Sequence, residues 1–115
     1  MSTSMTIAKL NNDGTARAIT VYYDGYPDYA IPTLTEVYNT EAKVDELLDL
    51  GDLVSIGASI EECESCAKAN MGKSGYNNTK AVMIPAGRSI RQKGNPNNYK
   101  TDYAYLWVNG LWFCA

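Results

Sequence analysis

The side chains best suited to bind a charged ligand are concentrated in the second half of the chain. Residues 65–101 include seven Lys or Arg and no Asp or Glu, although the whole chain has a net charge of −3. A guanidinium group pairs with phosphate oxygens through two parallel hydrogen bonds, and an aromatic ring stacks on a base. This stretch therefore predicts a surface for a small anionic ligand of the nucleotide type. We expect Arg88, Arg91 and Lys93 to pair with its phosphates and Tyr99 to stack on its base.

Four residues outside that stretch would complete such a site. Tyr105 and Trp107 lie near the C-terminus, and Asp24 and Tyr26 lie in the sequence DGYP at residues 24–27. We expect the first two rings to stack on bases, and Asp24 and Tyr26 to hydrogen-bond a ribose or a base edge. Long DNA or RNA is not an expected ligand, because a chain with a net charge of −3 repels a polyanion at a distance.

A block of acidic residues comes before the basic stretch. Residues 41–64 contain eight carboxylates and a single Lys. Opposite blocks of this kind favour association between copies of the chain. An acidic helix face could also occupy the basic groove of a host or defence protein. Asp45 and Asp49, one helical turn apart, are expected on a solvated outer face.

The chain contains few side chains suited to catalysis. The chain has no His, the commonest general base and metal ligand. Cys63 and Cys66 form a CxxC pair, but only Cys114 could join them and a closed zinc site needs four ligands. Residues 67–74 imitate a phosphate loop with Ala67 in place of its first Gly. We therefore expect buried thiols, no metal, no cofactor, no catalytic residue and a function by binding.

Two hairpins are predicted at the ends of the chain. The first joins residues 5–10 to 15–23 through a turn that ends in Asp-Gly, and the second joins residues 103–108 to 111–114 through Asn109-Gly110. In the second, alternate residues form two apolar faces. One holds Tyr103, Tyr105, Trp107 and Trp112, and the other holds Ala104, Leu106, Val108, Leu111 and Phe113. We expect one face to cover helices and the other either to be buried in a homo-oligomer or to serve as a stacking surface.

Short helices and a strand are predicted between the hairpins. Helix starts are expected at Thr33 and Ser59, each followed by Glu three residues later, and Thr40 should cap a helix over residues 41–50. The Ser59 helix should run to about Asn70, and a strand should cover residues 79–84. The fold class predicted for this single domain, residues 1–115, is α+β. Its antiparallel sheet is built from the N- and C-terminal hairpins, with two to three short helices on one face.

The sequence also predicts the cellular location of the protein. No apolar run approaches the roughly 20 residues that a membrane span needs, and residues 1–7 lack the basic start and apolar core of a signal peptide. The expected location is the cytoplasm, without a membrane partner.

Several motifs together resemble a known group. These are the loop Tyr23-Asp24-Gly25-Tyr26-Pro27, the element Gly51-Asp52-Leu53-x-Ser55-x-Gly57 and the C-terminal hairpin with Gly110 and Trp112. They resemble a family of small uncharacterised proteins carried by phages and prophages, over residues 19–57 and 102–113. This chain has Tyr23 where relatives tend to have Trp, and residues 63–100 do not resemble the family.

The resemblance implies a phage origin and counter-defence by stoichiometric binding. The first expectation is sequestration of a small nucleotide immune signal in the infected host. The alternative is a protein-directed inhibitor, of the anti-CRISPR or anti-restriction type, that uses the acidic helix face.

Overall fold

The chain forms an α+β fold, as predicted. The computed structural model describes residues 3–65, 80–86 and 101–114. The strands are β1 (Met5–Leu10), β2 (Ala16–Val21), β3 (Leu53–Ser55), β4 (Glu64–Ser65), β5 (Val82–Ile84), β6 (Tyr103–Val108) and β7 (Leu111–Cys114). The helices are α1 (Pro27–Glu36), α2 (Glu41–Asp49) and a 3-10 turn at Ile60–Glu62.

The described strands form one mixed sheet with the order β4-β3-β2-β1-β6-β7, and β5 pairs with β2 beside β3. The two terminal hairpins meet at β1 and β6, which run parallel. The pair β2–β3 is also parallel, so the sheet that the sequence predicts as antiparallel is mixed, with its other described pairs antiparallel. The junction is held by Asp102, whose carboxylate accepts the Ser4 amide at 3.0 Å, while the Tyr103 amide donates to the Ser4 carbonyl at 3.1 Å.

Both hairpins form as the sequence predicts. Positive φ angles at Asn109 (48°) and Gly110 (87°) give the two-residue turn the twist that suits a hairpin. Trp107 pairs with Trp112 and Leu106 with Phe113, which is the register that a two-residue turn at Asn109-Gly110 requires. The rings of Trp107 and Trp112 meet nearly edge to face, with centroids 5.4 Å apart.

The first helix begins earlier than predicted. The Thr33 hydroxyl does not cap a helix, since it donates to the Tyr29 carbonyl inside α1 at 2.8 Å. The helix starts after Tyr26 with Pro27 in its first turn, where the fixed φ of proline suits a helix and its missing amide costs nothing. The capping pattern at Thr33 and Glu36 is therefore a false signal, and Pro27, the last residue of the loop at residues 23–27, already belongs to the helix.

The second helix matches its prediction closely. The Thr40 hydroxyl accepts the Lys43 amide at 3.3 Å, and Gly51 follows the helix with a φ of 78°. Such a left-handed residue is a usual helix terminator.

The helix predicted from Ser59 does not form within the described residues. Only the 3-10 turn is present, the Ser59 side chain makes no capping bond, and Cys63 is extended with ψ 135°. β4 then pairs with β3, so strand pairing replaces the helix. Of the strand predicted at residues 79–84, β5 covers Val82–Ile84, and Thr79 lies outside the described residues.

The helices cover one face of the sheet, as expected. Met5, Ile7, Ile19 and Val21 from β1 and β2 pack with Ala30, Leu34, Val44, Leu47 and Leu48 from the helices. Tyr105 and Trp107 extend this core across β6, and Trp112 packs at its edge. The opposite face carries small side chains at its centre, among them Ala8 and Ala18.

Candidate binding surfaces

The eight residues predicted to bind a nucleotide do not form one site in the described part of the protein. Arg88, Arg91, Lys93 and Tyr99 lie outside the described residues. The remaining four are separated by burial: two lie in the core and two in the loop that precedes α1.

Tyr105 and Trp107 are core residues. Their side chains are 1% and 4% exposed, because α1, α2 and the neighbouring strands cover them. A base cannot reach a ring whose faces are packed against the protein, so the stacking role predicted for these two residues is wrong in this structure. The Tyr105 hydroxyl donates to the Gly25 carbonyl at 2.8 Å, and burial raises the pKa of Tyr105 to about 12.

The loop containing Asp24 and Tyr26 has a structural role. The Gly25 amide donates to the Thr3 carbonyl at 2.8 Å, and Asp24 adopts a φ of 66° that lets the chain turn into α1. Tyr26 remains 43% exposed, with its ring centroid 6.3 Å from that of Tyr29. Of the four predicted residues that the structure describes, Tyr26 presents an accessible ring.

The acidic surface of α2 has two sides that differ in charge. Asp45 accepts a hydrogen bond from Lys9 at 2.9 Å, and Asp49 accepts one from Arg17 at 2.6 Å. Both carboxylates are exposed, by 42% and 67%, as expected of a solvated face, but each also pairs with a cation. The pairing was not predicted; it arises because the alternation of β1 and β2 places Lys9 and Arg17 on the face that α2 covers. The other side of α2 carries Glu46, which is exposed.

The loop from Ile56 to Cys63 is held against α1 by two phenols and a thiol. The Tyr29 hydroxyl donates to the Ile56 carbonyl at 2.6 Å and that of Tyr38 to the Gly57 carbonyl at 2.8 Å. The Cys63 sulfur accepts the Gly57 amide at 3.4 Å and lies 3.3 Å from the Tyr38 oxygen. Burial, with a smaller effect from Cys63, raises the pKa of Tyr38 well above its ordinary value. This network agrees with the expected buried thiol at Cys63.

An open groove of about 240 Å³ lies between this loop, α2 and the C-terminal end of α1. Its lining combines apolar and charged side chains. The lining residues are Val37, Tyr38, Lys43, Glu46, Ala58, Ser59, Ile60 and Glu61. Sequence reasoning did not find this groove, because its two acids lie on separate elements. The high acid content of residues 41–64 was the one available signal.

A second surface is apolar and lies at the β7 end of the sheet. Leu111 is 62% exposed and Phe113 is 50% exposed. A smaller groove of about 70 Å³ between α1 and β7 is lined by Ile31, Leu34, Trp112 and other residues. The predicted two-faced character of the C-terminal hairpin is therefore present, with one face in the core and the other exposed at Leu111 and Phe113.

Within the described ranges, no three His, Cys, Asp or Glu side chains come together as a metal site would require. Nor does either described helix have the length and apolarity to cross a membrane. Comparison of the chain with protein-family models, curated proteins and solved structures gives no match.

Proposed function

We propose that this chain is a phage-encoded counter-defence protein that acts by binding a protein partner without turnover. It would act in the cytoplasm of the infected bacterium. The resemblance of residues 19–57 and 102–113 to phage proteins supports the origin. The observation that carries the mode of action is the acidic surface beside α2, where exposed carboxylates surround a groove.

The choice of a protein partner over a nucleotide rests on the described cations. Two of the four described cations, Lys9 and Arg17, are already paired with α2 carboxylates, and an incoming phosphate would have to displace those carboxylates. Glu46 and Glu61 instead repel an anion and attract a basic surface. A nuclease or other effector that binds nucleic acid carries such a basic surface, which an acidic protein can occupy.

The test is phage plating on bacteria that carry a defence system. Expression of the chain should restore plating of a defence-sensitive phage, and charge reversal at Glu46→Lys and Glu61→Lys should abolish the rescue. Asp28→Lys is the matched control, because Asp28 is an exposed acid on the first turn of α1. Equal rescue by the double variant and the wild type, at equal protein levels, would refute the role of this surface.

Sequestration of a small nucleotide is the second candidate, and the seven cations without an acid in residues 65–101 favour it. A thermal-shift screen with cyclic di- and trinucleotides tests it directly. A ligand at 100 times its dissociation constant adds about 2.7 kcal/mol of apparent stability. A shift that Arg88→Ala with Arg91→Ala removes would establish this mode, and no shift with any compound would eliminate those ligands.

We also propose that copies of the chain associate through the open face of the C-terminal hairpin. Leu111 and Phe113 are exposed apolar side chains on this face. Burial of such side chains between copies is favourable by about 25 cal/mol for each Å² of apolar surface.

A further inference from the structure

The charges in the groove beside α2 have no partners in the described part of the chain. Lys43, Glu46 and Glu61 make no ion pair and no side-chain hydrogen bond there, whereas Asp45, directly before Glu46, lies 2.9 Å from Lys9. The carboxylates of α2 therefore fall into two groups. Asp45 and Asp49 are paired with Lys9 and Arg17, whereas Glu46, which lines the groove, remains available to a ligand.

The size and lining of the groove indicate which kind of ligand it can hold. Its volume of about 240 Å³ is below the roughly 300–1,000 Å³ of sites for drug-sized molecules, so it suits one side chain better than a nucleotide. Val37 and Ile60 supply an apolar wall for an aliphatic stem. Glu46 on α2 and Glu61 on the 3-10 turn supply carboxylates from two different elements.

We infer that this groove binds an arginine side chain from a basic segment of the protein partner. The stem packs against Val37 and Ile60, and the planar guanidinium, with five donors, pairs with Glu46 and Glu61. Arginine suits the site better than lysine, since a fork of donors reaches two separate carboxylates and a single ammonium does so poorly. Lys43 lines the same groove and weakens this attraction.

This inference rests on the proposed function for its biological partner, but its chemistry can be tested alone. The probe is N-acetyl-arginine amide, titrated into the full-length ¹⁵N-labelled protein and followed by amide chemical shifts. We expect saturable, millimolar binding with shifts concentrated at Glu46, Ser59 and Glu61. N-acetyl-citrulline amide, which has the same shape without the charge, should not bind.

Variants of the groove residues should raise or lower the affinity for the arginine probe in directions that the charges define. Glu46→Gln and Glu61→Gln should each weaken binding about three- to tenfold, and their combination should abolish it. Asp28→Asn, an exposed acid elsewhere, should leave it unchanged. Lys43→Met should tighten binding about two- to fivefold, because it removes a competing positive charge; a merely structural role for Lys43 would not produce a gain.

The possible results distinguish failure of the arginine site from failure of the proposed function. Absence of saturable shifts, equal binding of the citrulline probe, or full binding by the double Gln variant would overturn the arginine site. If the probe binds as expected but the chain never restores phage plating, the arginine site stands and the proposed function fails. If charge reversal abolishes rescue while the probe does not bind, the arginine site fails and the proposed function stands.

Discussion

Replacement of Gly25 by Ala should show that the loop before α1 is held by close packing. A Cβ atom built at Gly25 would lie 2.7 Å from the Ser4 carbonyl carbon and oxygen and 2.9 Å from the Met5 Cβ. Ser4 precedes β1 and Met5 begins it, and Met5 is completely buried. The loop or the strand must therefore retreat by more than half an ångström to accept one methyl group.

The expected loss of stability follows from the contacts that this retreat stretches. The Gly25 amide and carbonyl each make a hydrogen bond of 2.8 Å, to the Thr3 carbonyl and from the Tyr105 hydroxyl. Each is worth about 1 kcal/mol, and overpacking adds about 1–3 kcal/mol. Gly25→Ala should therefore lower the free energy of unfolding by about 3–5 kcal/mol, and the melting temperature by roughly 10–25 °C.

Gly110→Ala is the matched control. Gly110 needs glycine for its φ of 87° and has nothing within 4 Å of a new Cβ atom, so Ala should cost only about 1 kcal/mol of backbone strain. Urea titrations of both variants measure the difference, with an unchanged m-value showing that the transition is still two-state. A Gly25→Ala variant as stable as Gly110→Ala would refute the packing of this loop against β1.

Three further predictions concern the core, the ion pairs and the assembly. Tyr105→Phe removes the hydroxyl that donates to the loop and should cost about 1–2 kcal/mol in urea titrations. Because burial raises the pKa of Tyr105 from 10.0 to about 12, the unfolded chain loses this proton first, and stability should fall as the pH rises through that interval. The urea midpoint of the Phe variant should fall less over the same interval, and an equal fall would contradict this reasoning. A double-mutant cycle on Lys9 and Asp45 should give a coupling of about 0.5–1 kcal/mol that decreases at high salt, and zero coupling would show that the pair contributes nothing. Phe113→Glu should lower the particle mass measured by light scattering after size exclusion, whereas Met83→Glu, at another exposed apolar side chain, should not. A monomeric wild type would overturn the proposed assembly.

Features that depend on neighbouring residues could be predicted from the sequence. The turn Asn109-Gly110 sets the register of β6 and β7, and Thr40 and Gly51 bound α2. Each works through one or two backbone hydrogen bonds or a φ angle that few residues adopt. The α+β class also followed, since two hairpins with amphipathic helices between them have few other ways to bury their apolar faces.

Local signals failed where tertiary contacts compete with them. The pattern Ser59-x-x-Glu62 predicted a helix, but Cys63 turns into contact with Gly57 and Tyr38, and the chain continues as β4 beside β3. These two contacts of Cys63 join residues six and 25 positions apart, and a capping signal worth about 1 kcal/mol does not outweigh them together with the strand pairing.

Sequence alone determined the charge blocks, the hairpin turns, the limits of α2 and the apolar faces of the C-terminal hairpin, because each is a property of residue type or of short-range spacing. Tertiary structure alone decided which of those residues remain accessible. The parallel pairing of β1 with β6 carried Tyr105 and Trp107 into the core, and the packing of α2 on the sheet brought Lys9 and Arg17 to Asp45 and Asp49. It also placed Glu46 and Glu61 around one groove. Accessibility and charge pairing depend on which elements meet, and that choice is made by burial of apolar surface across the whole chain.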